Sequence, residues 1–212
     1  MTASSANQTT DRELEVDVLV LGGGGTGLAA AISAADQGTK VLVVEKTNRL
    51  GGTTALSIGS ITACCTYYQR RQGITDSPEA FCEDLAKFNR ELDIYENPEL
   101  RWVLAQESGN TLEWLRGFGF EFFGPSLEPP HRVARMHNVI PNSWCYPLLL
   151  QRVAVKRGVQ FLLGAAARTL SQEQGRITGA ILENSKTHSE VKVHARRAVI
   201  LACGDFSGSG IL

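Results

Sequence analysis

Five glycines and a threonine follow an apolar run near the beginning of this sequence, as Gly22-Gly23-Gly24-Gly25-Thr26-Gly27. The spacing Gly22-x-Gly24-x-x-Gly27 is typical of a turn that holds the phosphates of a dinucleotide. The first glycine allows the tight turn, the second lets a pyrophosphate approach the backbone, and the third lets the following helix pack against the strand. The predicted phosphate-binding residues are Gly22, Gly24, Gly25, Thr26 and Gly27.

An acidic residue, Glu45, lies about twenty residues beyond this turn, the distance at which dinucleotide-binding proteins place a ribose ligand. Its carboxylate can accept hydrogen bonds from ribose hydroxyls, and its charge would repel a 2′-phosphate. The sequence therefore predicts an adenine dinucleotide without a 2′-phosphate.

A second group of glycines and hydroxyls comes soon after Glu45, as Gly51-Gly52-Thr53-Thr54 followed by Ser57 and Gly59. Glycines permit close approach of the backbone, and hydroxyls can donate hydrogen bonds to a ligand. On the residues alone, a polar loop that caps a helix is an equal alternative.

These residues need one βαβ unit to position them. Val16–Leu21 is an apolar run that predicts a buried strand, and an Ala-rich helix ending near Gly38 follows the glycines. A second apolar strand, Val41–Glu45, ends in the acid. A glycine-rich turn alone also occurs in other α/β proteins, but here the strand, the helix and the acid agree with dinucleotide binding.

Two helices are predicted within residues 77–117, because Ser77-Pro78 and Asn97-Pro98 each combine a capping residue with a proline at the first helical position. The spacing of the apolar residues predicts one buried face on each helix. These faces carry Phe81, Leu85 and Phe88 on the first helix, and Leu100, Val103 and Leu104 on the second.

Residues 120–142 are rich in proline and are predicted to be irregular. Four basic side chains cluster there: His131, Arg132, Arg135 and His137. Such a cluster near a cofactor could bind an acidic substrate, but a solvated loop is the favoured interpretation.

In the last third of the chain, predicted helices and strands alternate again. A helix is predicted over 148–155 and a short strand over 159–163. Two further strands, over 176–182 and 190–195, are predicted to form a hairpin around Asn184. Residues 198–202 predict a buried strand that leads into Cys203-Gly204-Asp205-Phe206.

Composition excludes several classes of protein. The 212 residues are 43% hydrophobic and 20% charged with a net charge of −1, which is ordinary for a soluble domain and gives no support for nucleic-acid binding. No apolar run is long enough to span a membrane, and residues 1–13 predict a disordered tail. Five cysteines without a C-x-x-C spacing favour reduced thiols in the cytoplasm, with Cys64 and Cys65 as adjacent buried thiols rather than a redox pair.

Taken together, the motifs from Val16 to Phe206 resemble the flavoprotein family of fumarate reductase and succinate dehydrogenase, which includes the 3-ketosteroid dehydrogenases. The first turn and Glu45-Lys46 match the family's opening motif, and Ala202–Phe206 is similar to its Ala-Thr-Gly-Gly-Phe turn. The resemblance favours FAD over NAD. It adds these binding residues: Lys46, Gly51, Gly52, Thr53, Thr54, Ser57, Gly59, Ala167 at the adenine, Ala202 and Gly204.

The resemblance implies an α/β fold over residues 14–212. This is a Rossmann-like FAD-binding domain of the glutathione-reductase type, with a parallel sheet, helices and a small antiparallel β meander. No histidine lies in residues 47–57, where some members attach FAD, so binding is expected to be non-covalent. Family members are more than twice as long, so the domain is expected to be incomplete and to lack its capping domain.

The implied function is that of a CH–CH oxidoreductase with a small-molecule substrate, represented by its FAD-binding portion. No catalytic residue and no metal site is assigned, and a steroid substrate is unsupported because the loop around Phe120 to Phe123 has no tyrosine. Two alternatives remain: a non-catalytic fragment that binds FAD, and an NAD-binding reductase.

Overall fold

The structure is a computed structural model that describes residues 12–88 and 95–205. Residues 1–11 of the predicted tail and Phe206 of the predicted turn lie outside the described residues. The first strand begins at Arg12, so the last two residues of the predicted tail belong to a strand. The chain forms two compact units, one from Met1–Thr54 with Tyr146–Leu212 and one from Ala55–Cys145.

The described residues form helices and strands in the following order: β1 (Arg12–Leu21), α1 (Gly25–Asp36), β2 (Val41–Glu45), α2 (Gly52–Leu56), β3 (Ser60–Thr62), α3 (Tyr67–Arg71), α4 (Pro78–Leu85), α5 (Pro98–Gly117), β4 (Glu121–Ser126), β5 (Met136–Ile140), α6 (Cys145–Lys156), β6 (Gln160–Leu163), β7 (Ala165–Glu173), β8 (Arg176–Asn184) and β9 (Glu190–Leu201).

The first unit contains a six-stranded sheet in the order β6-β2-β1-β9-β8-β7. Strands β6, β2, β1 and β9 are parallel, whereas β9, β8 and β7 form an antiparallel meander. Every residue of β2 is buried, as expected for a parallel strand covered on both faces. The predicted fold class, a parallel sheet with a small antiparallel meander, is confirmed.

Helix α1 packs through Leu28, Ala31 and Ile32, which are fully buried. The helix ends where the sequence predicts, because Gly38 follows it with φ +71° and its N–H donates to Ala35 O. A left-handed glycine at this position satisfies the last carbonyls of the helix.

Strand β9 differs from the prediction. Residues 190–195 and 198–202 were expected to be two strands, but Glu190–Leu201 is one strand that pairs with β1. The register shifts between Val16 and Val18, and this irregularity lets pairing continue past the expected break. The end of β9 is not buried as predicted, since Leu201 is 63% exposed.

The second unit contains a three-stranded antiparallel sheet, β3-β5-β4. Two of its strands, β4 and β5, lie in the segment 120–142 that was predicted to be irregular. The prediction is wrong for these two strands, whereas residues 127–135 between them form neither helix nor strand. The register of β4 against β5 shifts between Phe123 and Ser126, which accommodates Pro125, and Pro141 follows the end of β5. The aromatic residues Phe120 and Phe122 are buried there.

Both predicted helix beginnings in the second unit are confirmed. The Ser77 side chain accepts a hydrogen bond from Ala80 N–H, and Asn97 caps α5 in the same way at Glu99 N–H. Pro78 and Pro98 each occupy the first turn.

The buried face of α5 is not the predicted one. Leu100, Val103 and Leu104 are all more than half exposed, and α5 instead buries small residues together with Leu112 and Leu115. A side chain at Gly109 would collide with Cys64 O, so the helix approaches its neighbour closely through its small residues. Cys65, predicted to be buried beside Cys64, is exposed at φ +56°.

Candidate functional site

The first glycine turn begins where three parallel strands of the first unit end. Gly22 N–H donates to Val44 O (2.8 Å) near the end of β2, and Ala202 N–H donates to Leu21 O (2.8 Å) at the end of β1. Ligands of open α/β sheets bind outside the carboxyl ends of the strands, which is where these residues lie.

Gly22 and Gly27 are required by packing within the chain. Gly22 has φ +112°, and a Cβ there would overlap the carbonyl group of Ala202. A Cβ on Gly27 would overlap Gly22 O. These contacts agree with the predicted roles of the two glycines in the turn and in close packing of helix on strand.

Gly24 differs from both. It has an extended backbone (φ −77°), and the nearest atom to a Cβ placed there would be Gly51 O at 3.9 Å. The structure itself does not need a glycine at this position. The open space beside Gly24 fits the prediction that a pyrophosphate approaches the backbone here.

The N-cap residue of α1, Gly24, makes no side-chain capping hydrogen bond. Gly24 supplies no side chain, and the first turn carries no acid. Thr26 and Gly27 lie in this turn, where N–H groups have no intrahelical acceptor. Together with the positive end of the helix dipole, these groups form a favourable place for an anion.

Glu45 is almost fully buried and binds the backbone on both sides. Its Oε2 accepts from Gly23 N–H (2.9 Å), and its Oε1 accepts from Thr47 N–H (2.9 Å). The carboxylate therefore holds the glycine turn against the end of β2, a role that the sequence did not indicate. Each oxygen keeps a further lone pair with which to accept from a ribose hydroxyl.

The second glycine loop lies beside the first. Gly51 N–H donates to Gly23 O (2.9 Å), and Gly25 N–H donates to Thr54 Oγ1 (3.1 Å). Gly52, at φ +49°, and Thr53 are exposed at the beginning of α2. Residues 51–54 and residues 22–27 thus meet, as the predicted site requires.

The remaining predicted residues of the first unit lie around the ends of its strands. Lys46 is exposed, and its carbonyl accepts from Ser185 Oγ (3.1 Å). Ala167 is exposed on β7, opposite Leu182 of β8. Gly204, at φ +80°, is exposed three residues after β9 ends.

Two predicted residues, Ser57 and Gly59, belong to the second unit. Ser57 Oγ accepts from Gly59 N–H (3.2 Å), and Ser57 is exposed. Gly59 has φ +89°, and a Cβ there would lie 2.7 Å from Val139 Cγ1. Packing within the second unit therefore accounts for this glycine.

Three of the four side chains in the basic cluster of the second unit, His131, Arg135 and His137, are buried, so the favoured interpretation as a solvated loop is wrong for them. Arg132 is exposed. Arg135 is fully buried and forms a two-pronged ion pair with Asp76, from Nε to Oδ2 (2.7 Å) and from Nη2 to Oδ1 (2.6 Å). Its Nη1 donates to Asp84 Oδ2 (2.7 Å). With the Arg135 guanidinium held by two carboxylates, this residue is not a free cation for an acidic substrate.

Asp84 is the other centre of this cluster. Burial opposes its ionisation, but hydrogen bonds from Arg132 N–H, Lys87 and Arg135 outweigh that effect and hold its pKa well below the usual range. Arg132 also pairs with Glu83 at the surface.

Two buried histidines, His131 and His137, complete the cluster. His131 Nδ1 lies 3.0 Å from Arg135 Nη1, and His137 Nε2 lies 3.0 Å from Thr66 Oγ1. Burial lowers the pKa of both histidines, and the charge of Arg135 lowers that of His131 further. Because Arg135 can only donate, Nδ1 of His131 acts as the acceptor.

The fold and the turn together define a nucleotide-binding flavoprotein domain. A family model described as an FAD binding domain matches residues 17–210, so the chain belongs to that family and its cofactor is FAD.

Known proteins agree with this assignment. The chain is 32% identical over 197 residues to a fumarate reductase (cytochrome) of Shewanella frigidimarina, covering 91% of this chain and 34% of that protein. It is 31% identical over 204 residues to a urocanate reductase of Eggerthella lenta, covering 92% of this chain and 32% of that protein. The chain thus spans about a third of the length of these curated relatives.

A solved structure supports the same family. The 3-ketosteroid-Δ4-(5α)-dehydrogenase of Rhodococcus jostii RHA1, crystallised with 4-androstene-3,17-dione, matches with a TM-score of 0.81 and 28% identity, over 95% of this chain and 48% of that chain. The predicted resemblance to the fumarate reductase and ketosteroid dehydrogenase family is therefore confirmed.

Neither a membrane helix nor a metal site is found in the parts of the chain that the structure describes. Within residues 12–88 and 95–205, no helix is long and apolar enough to cross a bilayer. The same residues contain no group of three or more His, Cys, Asp or Glu side chains arranged to hold a metal ion.

Proposed function

We propose that this chain binds FAD non-covalently, with the pyrophosphate at the N-terminus of α1 and the adenosine ribose at Glu45. The N-terminus of α1 beside Gly24 carries this proposal, because the N–H groups of Thr26 and Gly27 have no intrahelical acceptor and the space beside Gly24 has room for an anion. The other proposed binding residues, as predicted from the sequence, are Gly22, Gly25, Thr26, Gly27, Lys46, Gly51, Gly52, Thr53, Thr54, Ser57, Gly59, Ala167, Ala202 and Gly204.

The proposed reaction is reduction of a C=C bond next to an electron-withdrawing group, in which one carbon gains a hydride and the other a proton, or the reverse oxidation of a CH–CH bond. FAD would supply the redox chemistry when bound. The relatives support this class, since fumarate and urocanate are both unsaturated carboxylates. Residues of this chain would hold and orient the cofactor, and none is assigned as a proton donor. Five free cysteines support a reducing compartment such as the cytoplasm.

Binding is tested by mixing the purified chain with FAD, removing free flavin by gel filtration and recording the flavin absorbance of the protein fraction. We expect one flavin per chain, released into the supernatant by acid precipitation because no covalent bond holds it. Gly24→Val is the matched variant and should retain no flavin. A chain that retains NAD but not FAD, or a flavin that stays with the precipitate, would contradict the proposal.

Turnover needs a separate test, because the chain spans about a third of the named relatives. Anaerobic oxidation of a reduced viologen dye is followed after addition of fumarate or urocanate to the FAD-loaded chain. Dye oxidation that depends on both flavin and substrate supports the oxidoreductase. Flavin binding without dye oxidation favours the second candidate, a domain that holds FAD without turnover.

A further inference from the structure

Thr54 makes an unusual contact with the first glycine turn. Its Oγ1 accepts from Gly25 N–H at 3.1 Å, although 29 residues separate the two. Gly25 is the first residue of α1, so this N–H is one of those that a helix leaves without an internal acceptor. A protein hydroxyl therefore occupies a donor that a phosphate would otherwise use.

The same side chain also fills the space above Gly25. A Cβ on Gly25 would lie 2.8 Å from Thr54 Oγ1 and 3.1 Å from Thr54 Cγ2. No L-amino acid with a side chain fits there unless Thr54 moves. Gly25 and Thr54 thus form a matched pair, whereas the position beside Gly24 is open.

Further contacts fix the turn between the two loops. The Gly23 N–H donates to Glu45, and the Gly23 carbonyl accepts from Gly51 N–H. With Gly25 held by Thr54, the backbone N–H groups that keep no protein acceptor among the described residues of the turn are those of Gly24, Thr26 and Gly27.

We propose that Thr54 is a positioning residue: it fixes the Gly25 N–H and the beginning of α1, and so directs the pyrophosphate to Gly24, Thr26 and Gly27. This inference rests on the proposed FAD site and changes one part of it, since the family resemblance had assigned Thr54 to FAD itself. Thr54 acts on the cofactor through the backbone of the turn.

Two variants separate the hydrogen bond from the shape of the side chain. Thr54→Val keeps the shape and loses the acceptor, and Thr54→Ser keeps the acceptor. We expect the Kd for FAD, measured by titration calorimetry, to rise about fivefold to tenfold in Thr54→Val, the usual worth of one hydrogen bond. In Thr54→Ser it should stay within about twofold of the original. Equal affinities in the two variants would overturn the proposal.

A measurement without cofactor distinguishes this inference from the proposed function. Amide hydrogen exchange at Gly25 in the FAD-free chain should be about tenfold faster in Thr54→Val than in Thr54→Ser, because the lost bond protects that N–H. A weaker affinity with unchanged exchange at Gly25 would mean that Thr54 contacts FAD directly, against the proposal. If the original chain binds no FAD, the proposed function fails while the exchange experiment still tests Thr54.

The matched packing gives a third test. Gly25→Ala should weaken FAD binding, and part of the loss should return when Thr54→Ala removes the atoms that collide with the new methyl group. Gly24→Ala is the control, because Thr54 does not contact that position and should give no rescue. Simple additivity of Gly25→Ala and Thr54→Ala would count against a matched pair.

Discussion

The glycine turn of the first unit and the Arg135 cluster of the second are two solutions to the problem of holding polar groups in place. The turn consists mainly of backbone, which the buried Glu45 carboxylate and the Thr54 hydroxyl hold in place by accepting hydrogen bonds from its N–H groups. The Arg135 cluster is built of side chains, with a buried guanidinium between two buried carboxylates. The turn depends on the absence of side chains, and the cluster depends on their presence.

This difference determines how substitutions affect each region. Adding a side chain to the turn removes either a close backbone contact or the room for a ligand, depending on the glycine that changes. Removing a side chain from the cluster leaves a buried charge without its partner, which is costly whatever the protein binds. The turn is therefore the region whose variants test binding, and the cluster is the region whose variants test stability.

The largest expected effect is that of Arg135→Ala, which leaves Asp76 and Asp84 buried without their shared cation. We expect the free energy of unfolding, measured by urea denaturation, to fall by about 3–5 kcal/mol. The control is Arg168→Ala, which breaks an exposed pair with Glu183 and should cost less than about 1 kcal/mol. Equal losses in the two variants would mean that burial does not set the strength of the cluster.

Within the turn, Gly27→Val and Gly24→Val should separate folding from binding. A side chain at Gly27 would overlap Gly22 O, so we expect about 1–3 kcal/mol of lost stability as the helix moves away from the strand. Gly24→Val should keep its helix content and melting temperature and lose FAD, since its side chain enters open space. Circular dichroism and flavin retention measure the two effects. A Gly24→Val protein that still retains flavin would show that the pyrophosphate lies elsewhere.

Glu45→Ala should weaken FAD binding without the complete loss expected for Gly24→Val. We expect a decrease of about 1.5–3 kcal/mol, the usual worth of hydrogen bonds to a charged group. Because Glu45 also holds Gly23 and Thr47, the variant should lose some stability without FAD present. Calorimetric titration with FAD and thermal unfolding of the FAD-free chain report the two roles separately. Unchanged affinity would remove Glu45 from the ribose site and leave only its role in the turn.

The pH dependence of stability should give the smallest effect, and it comes from the cluster. The folded pKa values of His131, His137 and Asp84 are all lowered, so the unfolded chain binds more protons at acidic pH. The stability contributed by the histidines is fully present above about pH 6.5 and is lost as pH falls below it. The contribution of Asp84 is lost only below about pH 4.

Urea denaturation across this pH range measures the effect, with His131→Gln as the comparison. A glutamine oxygen can still accept from Arg135 but does not titrate. The variant should therefore lose less stability than the original between about pH 6.5 and 5. The same slope in both proteins would show that His131 is not a source of the acid sensitivity.

The two regions also differ in what the sequence could predict. The glycine spacing, the strand before it and Glu45 lie within about thirty residues and follow a known local pattern, so the turn and the βαβ unit were predictable. Arg135 lies 51 residues from Asp84 and 59 from Asp76, and no periodicity connects such partners. Only the fold brings them together.

Helix α5 shows a second limit of sequence reasoning. Large apolar residues usually form the core, so Leu100, Val103 and Leu104 were expected on the buried face of α5. In the structure these three are exposed, and the buried face carries Ala105, Ser108 and Gly109, whose small size allows close packing. In the first turn, the spacing predicted the packing roles of Gly22 and Gly27. It did not indicate that Glu45 and Thr54 hold the turn through its backbone.

The contrast between Gly24 and its neighbours has an evolutionary consequence. Selection for a folded protein is sufficient to retain Gly22 and Gly27, because a side chain at either position collides with the chain itself. Selection for folding alone does not act on the open position of Gly24 in this way. In a related protein that no longer binds the cofactor, Gly24 should be the first of the three glycines to be replaced by another residue. A glycine at this position is therefore an indicator of retained cofactor binding in related sequences.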